Sequence, residues 1–342
     1  MTRNVLIFVI VLGLMGMSLF AALDFLAYSP VEAERERTHG GSGLRLTNAR
    51  QITHAFGPAV GQAGSPAWSD TGLLVYHAQA DAAGDGAADG AWDVWLTQIG
   101  SGSPVNRTAD VDGFDGDALE PTLSPDGATI VFSVVEDAEG WPPVGGGLYA
   151  LPSLGGTPRL LAPSARPGRV AWSADGRRMA WLQWTPPAGW ELVVADADAV
   201  VERTTRMPDA DDAAPARAEL AWSRDGTLFA WQSTTDSRSA RVGRLWILRD
   251  EDGAAFPVTD GRSLSGSPGF APDGRALTYV SDRGGSPDIW WQALAENGEP
   301  VGEPEALTSG LGVGSAAFSP DGLRLACTRG GELWLMDVER DD

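Results

Sequence analysis

The chain has 342 residues, with 46 acidic against 25 basic side chains, a formal net charge of −21 and no lysine. That balance excludes nucleic acid as a natural partner, since binding it needs basic surface to displace counterions, and it disfavours anionic headgroups. A lone cysteine, Cys327, excludes an internal disulfide, and only His39, His54 and His77 are present.

Val5 to Leu23 is apolar or small throughout, with Arg3 ahead and Asp24 behind. Its length is near the roughly 20 residues that cross a bilayer as a helix. A small-x-small cleavage site is not close behind; Val31-Glu32-Ala33 lies several residues further on. Residues 1–27 are therefore expected to be an uncleaved membrane anchor, the alternative being a signal that is removed. The positive start favours an N-terminus in the cytoplasm, which puts the remainder in the periplasm or the exterior. Residues 28–43, charged and Gly-rich, read as a tether.

A short phrase then recurs six times: aromatic or Leu, Ser or Ala, one variable residue, Asp, Gly. It reads Leu123-Ser124-Pro125-Asp126-Gly127, Trp172-Ser173-Ala174-Asp175-Gly176, Trp222-Ser223-Arg224-Asp225-Gly226, Phe270-Ala271-Pro272-Asp273-Gly274 and Phe318-Ser319-Pro320-Asp321-Gly322, after a worn first copy, Trp68-Ser69-Asp70-Thr71-Gly72. Successive copies lie 55, 49, 50, 48 and 48 residues apart. A steady period of roughly 40–50 residues with strand-like content predicts a β-propeller. Asp-Gly after Pro or Ser is turn chemistry. In the fifth copy it separates Gly269-Phe270 from Leu277–Val280, and Asp288–Trp291 and Glu305–Thr308 follow: four short apolar runs that read as an antiparallel meander.

The sixth copy lacks a fourth strand, since only seven residues follow Glu332–Leu335. Arg50-Gln51-Ile52-Thr53 matches Glu305-Ala306-Leu307-Thr308 and supplies the missing strand from the other end, closing the ring and removing two sheet edges. The fold expected is all-β: a six-bladed propeller of four-stranded blades over 44–342, closed by an N-terminal strand and preceded by one transmembrane helix.

The phrases Phe318-Ser319-Pro320-Asp321-Gly322 and Ser281-Asp282-Arg283-Gly284-Gly285 resemble the WD-like repeats of TolB-type β-propellers. The resemblance covers nearly all of the chain after residue 44. It implies a six-bladed propeller, often periplasmic, that serves protein–protein contacts. TolB carries an α/β domain ahead of its propeller, for which nothing here is a counterpart, and related propellers accompany serine hydrolases.

Chemical motifs are few. No Gly-x-Ser-x-Gly elbow and no phosphate-cradling Gly-rich loop occurs. A three-histidine zinc site within the repeats is excluded, because His39 falls in the tether. No catalytic residue and no cofactor is therefore assigned. Asp110, Asp112, Asp115 and Asp117 crowd one Gly-containing loop and are the weak candidates for calcium, against a solvated acidic loop; their spacing misses the EF-hand pattern. Asp81, Asp85, Asp89 and Asp93 read as a loose loop. Cys327 is expected to be buried and inert, and His54 and His77 to be structural.

The turn phrases should lie together on one face, short and alike. The other face should carry long, dissimilar loops, among them His77–Trp92, Glu136–Gly147, Trp184–Trp190 and Thr234–Arg244, where binding surfaces are usually built. That face would present Trp92, Trp141, Trp184 and Trp190, with Arg238, Arg241 and Arg244. Trp141, Trp184, Arg238 and Arg241 are the candidate partner contacts. Trp68, Trp172 and Trp222 repeat at one place and are expected as core between blades. One position ahead of each phrase (Ser65, Glu120, Arg169, Glu219, Ser267, Ser315) is expected just before the innermost strand, at the tunnel mouth. Its charged members Glu120, Arg169 and Glu219 read as inter-blade ion pairs or as a charged entrance.

The function expected is non-catalytic: an envelope-anchored propeller, held in the membrane by its N-terminal helix, that binds a protein or peptide on the long-loop face. The alternative is a tunnel-centred, metal-assisted hydrolase or lactonase-like enzyme with oxygen ligands.

Overall fold

The computed structural model describes residues 43–53, 61–79, 91–109, 116–135, 146–163, 168–185, 189–207, 219–237 and 240–340. The anchor segment and nearly all of the tether lie outside the described residues, as does His54. Among the described residues no helix is long and apolar enough to cross a membrane.

Among the described residues, twenty-four strands form six four-stranded antiparallel sheets. The first strand, β1 (Leu44–Gln51), is set aside for the end of the chain. Blade one is β2 (Gly61–Trp68), β3 (Leu73–Gln79), β4 (Trp92–Gln98) and β5 (Ser101–Asn106); blade two is β6 (Asp117–Leu123), β7 (Thr129–Val135), β8 (Gly147–Pro152) and β9 (Arg159–Pro163). Blade three is β10 (Ala171–Trp172), β11 (Arg178–Thr185), β12 (Gly189–Asp196) and β13 (Val201–Arg206). Blade four is β14 (Leu220–Trp222), β15 (Leu228–Ser237), β16 (Ala240–Arg249) and β17 (Ala255–Pro257). Blade five is β18 (Ser265–Phe270), β19 (Ala276–Ser281), β20 (Asp288–Ala293) and β21 (Glu305–Ala306). Blade six holds β22 (Val313–Phe318), β23 (Arg324–Arg329) and β24 (Glu332–Arg340), with β1 as its outermost strand.

The closure expected from the missing strand is present. Arg50 stands opposite Leu335 and Gln51 opposite Trp334, and the ladder continues through Ile52 N–H to Leu333 O at 2.7 Å. It also extends the other way, to Leu44 opposite Arg340.

The turn phrase closes on itself for a physical reason. Ser319 Oγ donates to Asp321 Oδ1 (2.6 Å), the Leu323 N–H donates to the same oxygen (3.0 Å), and Gly322 supplies φ +71°. Ser319 Oγ also accepts the Arg324 N–H (2.9 Å), so one hydroxyl joins the start of β23 to the turn.

The core is a ring of six apolar clusters, each between two successive blades. Val75 and Leu96 of blade one meet Ile130 and Phe132 of blade two, and Val131 and Leu148 of blade two meet Met179 and Val193 of blade three. The series ends where Leu74 and Tyr76 of blade one meet Leu333 and Leu335 of blade six. One position on the second strand is fully buried in every blade: Tyr76, Phe132, Trp181, Trp231, Tyr279 and Cys327. Burying a large apolar side chain is worth about 1.5–3 kcal/mol, so this layer alone is a main source of stability. Cys327 takes the expected place, and burial pushes its thiol up to about 12.

Candidate functional site: the axial cavity and its rim

A cavity of about 250 Å³ lies among the innermost strands, at the end of the ring where the turn phrases sit. The leading residues of all six phrases (Trp68, Leu123, Trp172, Trp222, Phe270, Phe318) line it. Each also packs into the cluster shared with the preceding blade, so the expectation of core between blades holds for Trp68, Trp172 and Trp222. The Trp68 indole donates to Ala317 O of blade six at 3.1 Å. That these rings double as a cavity wall was not read from the sequence.

The ionisable lining is Asp70, Arg169 and Arg224. Arg224 grips Asp70 with both nitrogens: Nη1 to Oδ1 at 3.1 Å and Nη2 to Oδ2 at 3.0 Å. Asp70 belongs to the turn of blade one and Arg224 to that of blade four, which are opposite in a closed ring of six. The Asp70 backbone N–H is fixed to Pro125 O at 2.8 Å. At the inner end Arg169, of blade three, crosses to blade one and donates to Pro66 O at 2.8 Å.

The ring of residues ahead of the phrases sits differently from expectation in four blades. Ser65, Glu120, Ser267 and Ser315 lie inside β2, β6, β18 and β22; only Arg169 and Glu219 precede their strands. The ladder continues on the N-terminal side of a bulge, which the sequence pattern did not reveal. Ser65, Glu120 and Ser267 take positive φ (47°, 51° and 52°), a conformation few non-Gly residues adopt.

The contacts formed there run between blades. Ser65 Oγ donates to Glu120 Oε2 at 2.6 Å, and Ser65 N–H to Ser315 Oγ at 3.2 Å. The Glu219 carboxylate accepts the Ser267 N–H, and Ser267 Oγ accepts the Ala316 N–H at 3.1 Å. Glu120 and Glu219 thus fasten neighbouring innermost strands, while Arg169 reaches a backbone carbonyl.

His77 was expected beside a loop; it stands within β3 at 1% exposure. Its Nδ1 accepts the Glu120 N–H at 3.1 Å, which leaves the proton of the neutral ring on Nε2. Trp92 meets it edge-on at 5.1 Å, and Gly64 is needed because a Cβ there would run into the imidazole. The Ser65 hydroxyl thus donates its hydrogen bond to the Glu120 carboxylate, whereas an imidazole that activates a hydroxyl accepts that bond itself.

Of the expected partner contacts, Trp141 and Arg238 lie outside the described residues. Trp184 pairs with Trp190 in the β11–β12 ladder and Arg241 with Asp236 in β15–β16; their side chains are outside what is described. Three expectations are corrected. Trp184–Trp190 is not a long loop: β11 and β12 pair as far as Thr185↔Gly189, and three residues join them. Trp190 is buried (6% exposed) between blades three and four, because it begins the third strand and faces the inter-blade core. Thr234–Arg244 is not a long loop: β15 and β16 pair continuously from Leu228↔Arg249 to Ser237↔Ala240. Arg244 donates to Asp260 O at 2.9 Å and lies over the Trp246 ring. Asp110, Asp112 and Asp115 are outside the described residues; Asp117 Oδ1 accepts the Trp92 N–H at 3.0 Å, joining blades two and one. Among the described residues no three His, Cys, Asp or Glu side chains gather as a metal site.

No protein-family model matches the chain. It is similar to the Tol-Pal system protein TolB of Anaeromyxobacter sp. (strain K), with 30% identity over 210 residues, 56% of this chain and 46% of that one. It is also similar to the uncharacterized peptidase YuxL of Bacillus subtilis, with 30% identity over 110 residues, 31% of this chain and 16% of that one. The chain therefore spans less than half the length of either relative. Among solved structures it is similar in fold to TolB from Acinetobacter baumannii (17% identity, TM-score 0.56, covering 80% of this chain and 66% of that one). It is likewise similar to a putative TolB from Agrobacterium tumefaciens (21% identity, TM-score 0.54, 82% and 91%). With six four-stranded blades and an N-terminal closing strand, the chain is a six-bladed β-propeller, similar in fold to those of the TolB structures.

Proposed function

We propose that this chain is a non-catalytic, envelope-anchored propeller that holds a protein or peptide partner on the face opposite the turn phrases. The observation that carries the reading is the inequality of the second-to-third-strand connections on one rigid ring. Twelve residues separate β3 from β4 and eleven separate β7 from β8, whereas β15–β16 and β23–β24 turn in two. Unequal loops on a fixed scaffold are how one fold is adapted to a particular partner. The likeness to a Tol-Pal system protein supports a partner in the cell envelope.

Trp141 and Trp184 are the proposed apolar anchors and Arg238 and Arg241 the polar contacts, residue types enriched among energetic hot spots. A photo-crosslinking residue at position 141 of the full chain in cells should give a discrete adduct. Trp184→Ala, or Arg238→Ala with Arg241→Ala, should weaken capture of that adduct's partner by about 2 kcal/mol with the melting temperature unchanged. Parallel loss of stability and capture would assign these residues to packing and remove the site.

The anchor is proposed from Val5–Leu23. A reporter active only in the cytoplasm, fused after Asp342, should be silent; full activity would refute the topology. The peptidase relative supports a second reading, in which the chain is itself a hydrolase. Amide hydrolysis by the purified chain, abolished by changing a single described side chain, would favour it.

A further inference from the structure

The variable place of the turn phrase is held by Asp70, Pro125, Ala174, Arg224, Pro272 and Pro320, and all six line the rim of the axial cavity. Four of these side chains are apolar. The two charged ones stand on opposite blades and meet across the rim as a two-pronged ion pair. With Arg169 at the inner end, the ionisable lining is two guanidinium groups against one carboxylate, a local positive surplus inside a chain of net charge −21.

We infer that the Asp70–Arg224 pair is a latch over a binding site for a small, flat carboxylate, with Asp70 filling the place on the Arg224 fork that the ligand's own carboxylate takes. The planar guanidinium matches a carboxylate in two parallel hydrogen bonds, so ligand and Asp70 compete for one geometry. The latch is weak enough to open. Its side chains are 50% and 36% exposed, and such pairs are worth up to about 1 kcal/mol. Asp70 is held in its turn by the bond to Pro125 O, so the Arg224 side chain is the moving part.

Behind the latch, Trp172, Trp222, Phe270 and Phe318 offer flat apolar wall, and Arg169 a second positive charge. The volume of about 250 Å³ lies below the roughly 300–1,000 Å³ of sites for larger ligands and suits a single-ring acid.

Benzoate is the probe, with benzyl alcohol as its uncharged counterpart, titrated into the full chain by ligand-observed NMR. Asp70→Asn removes the internal competitor and should tighten benzoate about three- to fivefold, the equivalent of the ~1 kcal/mol an exposed pair contributes. Arg224→Gln should weaken benzoate by roughly tenfold relative to Asp70→Asn, and the double variant should behave like Arg224→Gln. Asp198→Asn removes the same charge from an exposed site outside the cavity (83% exposed) and should change nothing. Benzyl alcohol should respond to none of these. The inference fails if Asp70→Asn shows no saturable benzoate binding or binds no tighter than wild type. It fails equally if Asp198→Asn tightens binding as much, if Arg224→Gln is without effect, or if benzyl alcohol follows benzoate.

Discussion

Thr53 fastens the closing strand with a single hydroxyl. Its Oγ1 accepts the Leu333 N–H at 3.1 Å and donates to the Glu332 carboxylate, at 3% exposure. The same amide-to-hydroxyl bond recurs where the Val94, Leu245 and Ile289 N–H groups donate to Thr108, Thr259 and Thr308 Oγ1, at 3.0, 2.9 and 2.9 Å. Thr53→Val keeps the shape and strands a buried N–H, so it should cost about 1–3 kcal/mol, read as a lower urea midpoint at unchanged slope. No loss would mean that the backbone ladder and apolar contacts close the ring unaided. Thr53 was legible because Arg50–Thr53 matches Glu305–Thr308 along the chain. Asp70 and Arg224 were not: they occupy the phrase's variable place, which a repeat comparison discards, and they stand 154 residues apart. His77 was legible as structural but not as buried, because its partner is a backbone amide of the next blade.

The turn element titrates in a defined direction. The Ser319 hydroxyl, then the Leu323 N–H, hold the Asp321 carboxyl below the ordinary carboxylate range, and Ser124 and Ala128 do the same for Asp126. At Asp225 burial acts the other way, and the Ser223 and Thr227 donors outweigh it. A carboxyl whose pKa is lower in the folded chain stabilises the fold above its ordinary value of about 4, and that contribution is lost as pH falls through the folded value. Ser319→Ala should therefore cost about 1 kcal/mol at pH 7, and its deficit against wild type should narrow towards pH 3. These turns are largely exposed, so the acid-sensitive share is a fraction of the whole. Denaturation at the two pH values checks this; a constant deficit would assign the hydroxyl's worth to the Arg324 amide alone. The turns were legible because Ser, Asp and Gly act locally. The hairpin at Thr234–Arg244 was not, because its polar strand ends carry loop-like residues while their pairing is purely a matter of backbone.

At the scale of the molecule, the ring has no end blade. Every blade shares one apolar cluster with each neighbour, so no blade can be removed without exposing two core faces. Period and missing strand made this architecture readable, since both are properties of one repeat copied along the chain. The bulges at Ser65, Glu120 and Ser267, and the two arginines that cross to blade one, are relations between copies, and a linear comparison does not carry them.

Closure by β1 also sets a timetable for synthesis. Thr53 and its partner Leu333 are 280 residues apart, which at roughly 5–20 residues per second is about 14–56 seconds of translation. For that interval the first blade strand made has no edge to join, while strands of other blades form beside it. Its own features suit the wait. Asn48 to Arg50 are exposed, Asn48 takes φ 52°, and the ladder is broken between Thr47 and Arg50. A bulged, arginine-bearing edge is a poor template for stray pairing, so the segment that completes the ring last is built to be left alone until its partner is made.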